Sequence, residues 1–248
     1  MAAGESPLHQ FEIHTLVPLK LGNMDISFTN SSLMMVITLV LASALMLFGM
    51  SRARVVPGRL QSIAEMSYEF IAGLIKDTIG DGGRKYFPLV FSLFMFILLG
   101  NVLGLIPYAF TWTSHIIVTF GFALIIFVGV TILGFIKHGL HFFSFFAPAG
   151  VPKVMWLLLI PIEVISYLSR PISLAVRLFA NMLAGHTLLK VIAGFVFALG
   201  AISFGVGGLL PLALLSALTG LELVIAFLQA YVFAILTCLY INDALHMH

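Results

Sequence analysis

Charged residues are scarce in this 248-residue chain: 12 Lys and Arg with 10 Asp and Glu make 9%, where a soluble domain carries about 25%. An ordinary soluble fold is thereby excluded. A single cysteine, Cys238, excludes an intrachain disulfide, and its place inside an apolar run reads as a small core residue. No basic run or basic patch interleaved with aromatics occurs, so nucleic acid is not an expected partner. No G-x-x-x-x-G-K-[ST] loop occurs either, so the chain is not expected to bind nucleotide directly. The first thirty residues lack a basic stretch leading directly into an apolar core, which argues against a cleaved signal peptide. The absence of a convincing internal repeat weighs against inverted-repeat transporters.

What fills the chain is apolar: 61% of residues are hydrophobic and the mean hydropathy is +1.14. This predicts an all-α polytopic membrane protein, because a helix crosses roughly 30 Å of hydrocarbon with about 20 apolar residues. Residues 1–31 read as an extramembrane segment and 32–248 as a single membrane domain. Helices are expected at 32–50, 86–106 and 115–136, followed by two overlong ones at 153–200 and 208–246, giving about five membrane-embedded helices. At ~1.5 Å per residue each of the last two exceeds the hydrocarbon thickness, so each must tilt strongly or break. They read as a hairpin turning near Phe204-Gly205-Val206-Gly207-Gly208.

Between the first two spans, 57–80 carries Ser62, Glu65, Glu69 and Lys76 on one helical stripe and Leu60, Ile63, Phe70, Ile71 and Leu74 on another. Two readings fit: an amphipathic helix lying in the membrane interface, or a helix packed against another subunit. Arg52, Arg54, Arg59, Lys76, Arg84 and Lys85 in the first connection, and Lys137, His138, His141 and Lys153 in the second, place both on the cytoplasmic or matrix side. The N-terminus is then outside and the C-terminus cytoplasmic.

Into this apolar background, residues 160–190 place Glu163, Arg170, Arg177, His186 and Lys190. A charge near mid-bilayer costs roughly 2.5–3.5 kcal/mol on insertion scales, so ionisable residues at that depth face a protein interior or water and serve ion passage. Glu163 precedes Arg177 by fourteen residues, close to four turns, and shares roughly its face about 21 Å away. His186 follows Arg177 by nine, two and a half turns, and points nearly the opposite way about 13 Å further on. On the last helix Glu222 and Gln229 share a face, and Glu222 stands about as far from the hairpin turn as His186 does, which makes the two candidate partners. A His–Glu pair between helices can be structural or can carry protons near neutral pH, and the proton station is the favoured reading. Arg177 cannot relay a proton; it can only pair with an anion or repel like charge. Arg170 and Lys190 read as snorkelling or lipid-headgroup residues, with an ion-path role as the alternative. Gln229, and Asn101 between Gly100 and Gly104, each read as an interhelical hydrogen bond or as part of a polar path.

The run RPISLAVRLFANMLAGH, with Glu163 fourteen residues before Arg177, ELVIAFLQAY on the last helix and GNVLGLIPY at 100–108, resembles subunit a of the F-type ATP synthases. The similarity runs from about residue 30 to the end. By this resemblance Arg177 holds the place of the essential stator arginine, and Asn181 and Gln229 match its polar neighbours. Glu163 matches the acid of the cytoplasmic half-channel. His186 and Glu222 match the pair lining the opposite half-channel, in the arrangement of mitochondria and their bacterial relatives. The resemblance implies a stator subunit that moves protons through two offset half-channels, is no enzyme on its own and needs no cofactor. The partners it implies are a ring of small rotor subunits carrying a membrane carboxylate, peripheral-stalk b-type subunits and membrane lipids. The location it implies is a bacterial inner membrane, with the mitochondrial inner membrane as alternative. A proton-coupled secondary transporter subunit is the competing function.

Overall fold

The computed structural model describes residues 11–18, 20–21, 24–25, 27–51, 53–106, 109–139, 142, 153–202 and 205–245. The expected stations at Arg52, His141 and Phe204, and the end of the GNVLGLIPY run at Pro107 and Tyr108, lie outside these residues, as do the last three residues of the chain. Four short strands come first: β1 (Thr15–Val17), β2 (Lys20–Leu21), β3 (Met24–Asp25) and β4 (Phe28–Thr29), with β1 antiparallel to β4 and β2 antiparallel to β3. Six helices follow: α1 (Asn30–Met50), α2 (Arg59–Ile79), α3 (Phe87–Gly104), α4 (Ile116–His138), α5 (Lys153–Ile202) and α6 (Leu209–Leu245). Short 3₁₀ turns at Asp81–Tyr86, Trp112–Ser114 and Val206–Gly208 link α2 to α3, α3 to α4 and α5 to α6. The fold is all-α apart from the small N-terminal pairings, which the sequence did not announce.

Five of the helical segments, all but α2, are long and apolar enough to cross a membrane. Their surfaces agree with that: Leu157, Leu210, Ile125 and Phe48 are among many large apolar residues left largely exposed, an arrangement tolerable only where the surroundings are themselves apolar. Thr29 starts α1 by accepting the Ser32 N–H on its hydroxyl at 3.3 Å, which satisfies one of the donors a helix start leaves open. Overlong α5 runs unbroken for 50 residues through Pro161 and Pro171. Of the two expected outcomes, breaking does not occur; at ~1.5 Å per residue the helix is roughly 75 Å long.

The core gathers around the C-terminal half of α6. Ala230, Phe233, Ala234, Cys238 and Ile241 are buried against Val90, Phe94 and Ile97 of α3, Ala123, Ile126 and Val130 of α4, and Ala175 and Leu178 of α5. The small residues at 230, 234 and 238 repeat every four positions, one face of the helix, and let neighbouring backbones come close. Cys238 is fully buried there, as its surroundings in sequence implied.

The apolar stripe of α2 is divided: Ile71 and Leu74 are buried, together with Ala64, Ile75 and Ile79, while Leu60, Ile63 and Phe70 are exposed. Polar Gln61 takes an inward place because its amide is fully used: Nε2 donates to Arg54 O at 2.9 Å and to Glu65 Oε1 at 2.7 Å, and Oε1 accepts from Arg54 N at 3.0 Å. The helix packs on α1, α3 and α6 of its own chain.

Candidate functional site

Because α5 is one regular helix, its polar residues are sorted by angle. Arg177 and Asn181, one turn apart, are both exposed, and Ser169, Ser173, Ala180 and Ala184 lie exposed near them. That face is small and smooth around one guanidinium. Among the described residues Arg177 makes no ion pair. His186 lies on the inward side, 8% exposed, as is Glu222 of α6. The opposition of Arg177 and His186 expected from nine-residue spacing is therefore what the helix presents. Glu163 is half-buried nearer the start of α5, and Gln229 half-buried on α6.

α5 and α6 meet closely where His186 and Glu222 sit. A β-carbon at Gly185 would stand 2.7 Å from Glu222 Oε1, so only glycine lets that carboxylate lie against α5 one residue before His186. His186 Nε2 is 3.2 Å from Thr111 Oγ1, which also donates to Gly104 O at 3.3 Å. The ring of Phe11, from the N-terminal segment, comes within 6.5 Å of the imidazole, centroid to centroid. Asn101 donates from Nδ2 to Ala226 O at 3.4 Å, between Glu222 and Gln229 on α6. The interhelical hydrogen bond read for Asn101 is thus present.

Several buried polar atoms here have no hydrogen-bond partner among the described residues: Glu222 Oε1, Asn101 Oδ1, Trp112 Nε1, Thr113 Oγ1 and His115 Nε2. Burying such atoms unpaired costs about 1–3 kcal/mol each, so natural proteins satisfy them with water or with a visiting partner. At the same end of α6 an open cleft of ≈ 580 Å³ is lined by Leu105 and Ile106 of the α3 end and by Ser216, Thr219, Gly220 and Leu223 of α6. This end of the helix pair is polar and under-satisfied.

Arg170 has partners within the chain: its Nη1 pairs with Asp243 Oδ2 at 2.9 Å, and its guanidinium lies 5.3 Å from the Tyr167 ring centre and 5.1 Å from that of Tyr240. Sequence reading missed Asp243, whose partner is 73 residues away, and it missed Thr111, Gly185 and His115. A signal existed for Thr111. Gly100 and Gly104, four apart around Asn101, mark a helix face that something must approach; in the structure Trp112 and Thr111 fill it, and a β-carbon at Gly104 would stand 2.6 Å from Thr111 Oγ1.

The family model described as ATP synthase A chain matches residues 32–242, which includes every one of these positions except Phe11 and Asp243. The chain belongs to the ATP synthase subunit a family. It is 61% identical over 249 residues to "ATP synthase subunit a" of Mesorhizobium japonicum, covering 99% of both chains. To the proteins of that name from Allorhizobium ampelinum and Paramagnetospirillum magneticum it is 58% and 56% identical, covering 97% and 98% of this chain and 97% and 99% of theirs. Family membership makes this a membrane subunit of the ATP synthase and not a nucleotide-processing one.

Proposed function

We propose that this chain is the proton-translocating stator subunit of a rotary ATP synthase in a bacterial inner membrane, with α5 separating two offset half-channels. One observation carries the reading: a single unbroken helix presents an exposed Arg177, unpaired among the described residues, on one side and buried His186, backed by Glu222, on the other. A proton from the outer phase passes His186 and Glu222 and neutralises a carboxylate on a ring of small rotor subunits. The neutral carboxyl then travels through lipid, where an ionised one would be strongly penalised. After nearly a full turn it meets the inner half-channel at Glu163 and releases the proton.

Arg177 attracts the ionised carboxylate and repels a free proton, which blocks a leak between the two channels, and its permanent charge rules it out as a relay. Asn181, on the same exposed face, and Gln229, across on α6, supply hydrogen bonds beside it. The membrane potential contributes about 2.3 kcal/mol per charge per 100 mV, so several protons must act together for each ATP made elsewhere in the complex. The ring and the peripheral-stalk b-type subunits are the partners this role requires. In this orientation the N-terminus is outside and the C-terminus cytoplasmic.

Sidedness tests the proposal. With Cys238 replaced by Ser, cysteines introduced next to Glu163 should react with a membrane-impermeant thiol reagent added on the cytoplasmic side, and those next to His186 and Glu222 with reagent added on the opposite side, since thiolate reactivity needs solvent access. Labelling of both sets from one side only would replace two half-channels with one funnel and remove the role given to Arg177.

A further inference from the structure

We infer that His115 is a further proton-path residue, a titratable station that hands protons to His186 along the 110–115 segment; this rests on the proton path proposed above. A connection between two membrane spans normally runs at the surface. Here Phe110, Thr111, Trp112, Thr113 and Ser114 are all buried, in contact with α1, α3, α4 and α5. The segment is drawn in by the groove that Gly100 and Gly104 leave on α3. Its inner end is already part of the site, through Thr111 Oγ1 and His186 Nε2 at 3.2 Å.

Its other end is His115. The ring stacks on Phe110 with centroids 5.1 Å apart and planes at 20°, which fixes its orientation, and the side chain is half-buried, next to exposed Ile116 and Ile117. His115 is thus partly accessible as a residue while its Nε2 is buried, with no hydrogen-bond partner among the described residues. Thr113 Oγ1 and Trp112 Nε1, between Thr111 and His115 in sequence, are unpartnered in the same way. Only the 3₁₀ turn Trp112–Ser114 separates Thr111 from His115, roughly 8 Å of backbone at about 2 Å of rise per residue, a reach that bridging waters complete. Two imidazoles joined through hydroxyls and water form a relay: each accepts a proton on one nitrogen and releases one from the other. The bland alternative is that His115 is only a flat ring packed on Phe110.

The whole ATP synthase in proteoliposomes, driven by a valinomycin–potassium potential, separates these readings. His115→Phe keeps a ring on Phe110 and removes the titratable nitrogens; His115→Ala removes both. At equal amounts of assembled complex, both substitutions should slow ATP synthesis by roughly tenfold, and added imidazole should restore at least half the loss in His115→Ala. Synthesis by His115→Phe at the unsubstituted rate, or His115→Ala left unrescued by imidazole, would overturn the inference. Arg177→Ala is measured beside them. If it is inactive while His115→Phe is normal, only the His115 inference falls; if Arg177→Ala is itself active, the proton path it rests on has failed.

Discussion

The two ends of the α5–α6 pair treat their polar groups in opposite ways. At the C-terminal end of α6 nearly everything is paired. Arg170 bonds Asp243, Tyr167 and Thr131 share a hydrogen bond of 2.7 Å, Lys137 donates to Leu245 O at 2.8 Å, and His138 Nε2 to Ala244 O at 3.2 Å. Lys137 and His138 of α4 thereby occupy the last carbonyls of α6, where the helix leaves acceptors open and the dipole favours the positive charge of Lys137. The cleft between Tyr167, Arg170, Tyr240 and Asp243 holds only ≈ 10 Å³. Toward the α5–α6 turn, Glu222, Asn101, Trp112, Thr113 and His115 each keep a buried atom without a partner among the described residues, and an open cleft of ≈ 580 Å³ lies between the α3 end and Ser216, Thr219, Gly220 and Leu223 of α6. Paired polar groups hold helices together; buried groups left unpaired cost stability and persist where something transient is to be bound. On the proposed function the first end is a fastening and the second a passage.

The largest expected effect lies at neither end but between them. Arg177→Ala should abolish ATP synthesis and ATP-driven proton pumping, leaving at most a passive leak, and Arg177→Lys should fail as well because a compact ammonium lacks the guanidinium fork and can lose its proton when desolvated. Near-normal synthesis by either variant would sink the mechanism. Next in size come His186 and Glu222. If they work as one station, each single substitution lowers proton flux strongly, and the exchange His186→Glu with Glu222→His restores more flux than the product of the single defects. Strictly multiplicative defects, read as initial pumping rates, would argue that the two residues act apart.

Much of this arrangement was legible in the sequence. The spans follow from apolar length, and the opposite facing of Arg177 and His186 follows from nine residues at 3.6 per turn, because α5 is regular throughout. What was not legible depends on which surfaces meet. Thr111 reaches His186 across 75 residues of sequence, and Arg170 finds Asp243 across 73; no periodicity encodes either. The apolar stripe of α2 left open whether it faces the membrane interface or another subunit; within the chain Gln61 is inward and Leu60 outward, because the nearby Arg54 backbone and Glu65 meet every need of the glutamine amide. Gly185 reads as one small residue among several until Glu222 is placed against it.

Gly185 gives the third prediction, and one that separates the passage from mere packing. Gly185→Ala puts a methyl where Glu222 Oε1 lies, 2.7 Å from the new carbon, so the carboxylate must move. Displacing a reacting group by about 1 Å can cost up to about 100-fold in rate, and a loss of about tenfold in pumping is expected with complex assembly unchanged. The loss should vanish in a Glu222→Ala background, where no carboxylate remains to displace. An equal further loss in that background would place the effect in helix packing.

The smallest effect belongs to the fastened end, and it is one of stability. Arg170 and Asp243 are 21% and 39% exposed in their side chains, so solvent screens the pair and its coupling should be modest, about 0.5–1 kcal/mol, as for other partly exposed ion pairs. A double-mutant cycle of Arg170→Gln and Asp243→Asn, read as thermal stability of the detergent-purified complex, measures that coupling apart from the stacking of Arg170 on Tyr167 and Tyr240. The Arg170 substitution should cost more than the Asp243 one, since it also removes both ring contacts. His115→Phe, at the other end, should leave thermal stability unchanged or raise it, because it removes a buried polar atom that has no partner among the described residues. If His115→Phe destabilised the complex as much as Arg170→Gln, the division into a fastening and a passage would not hold.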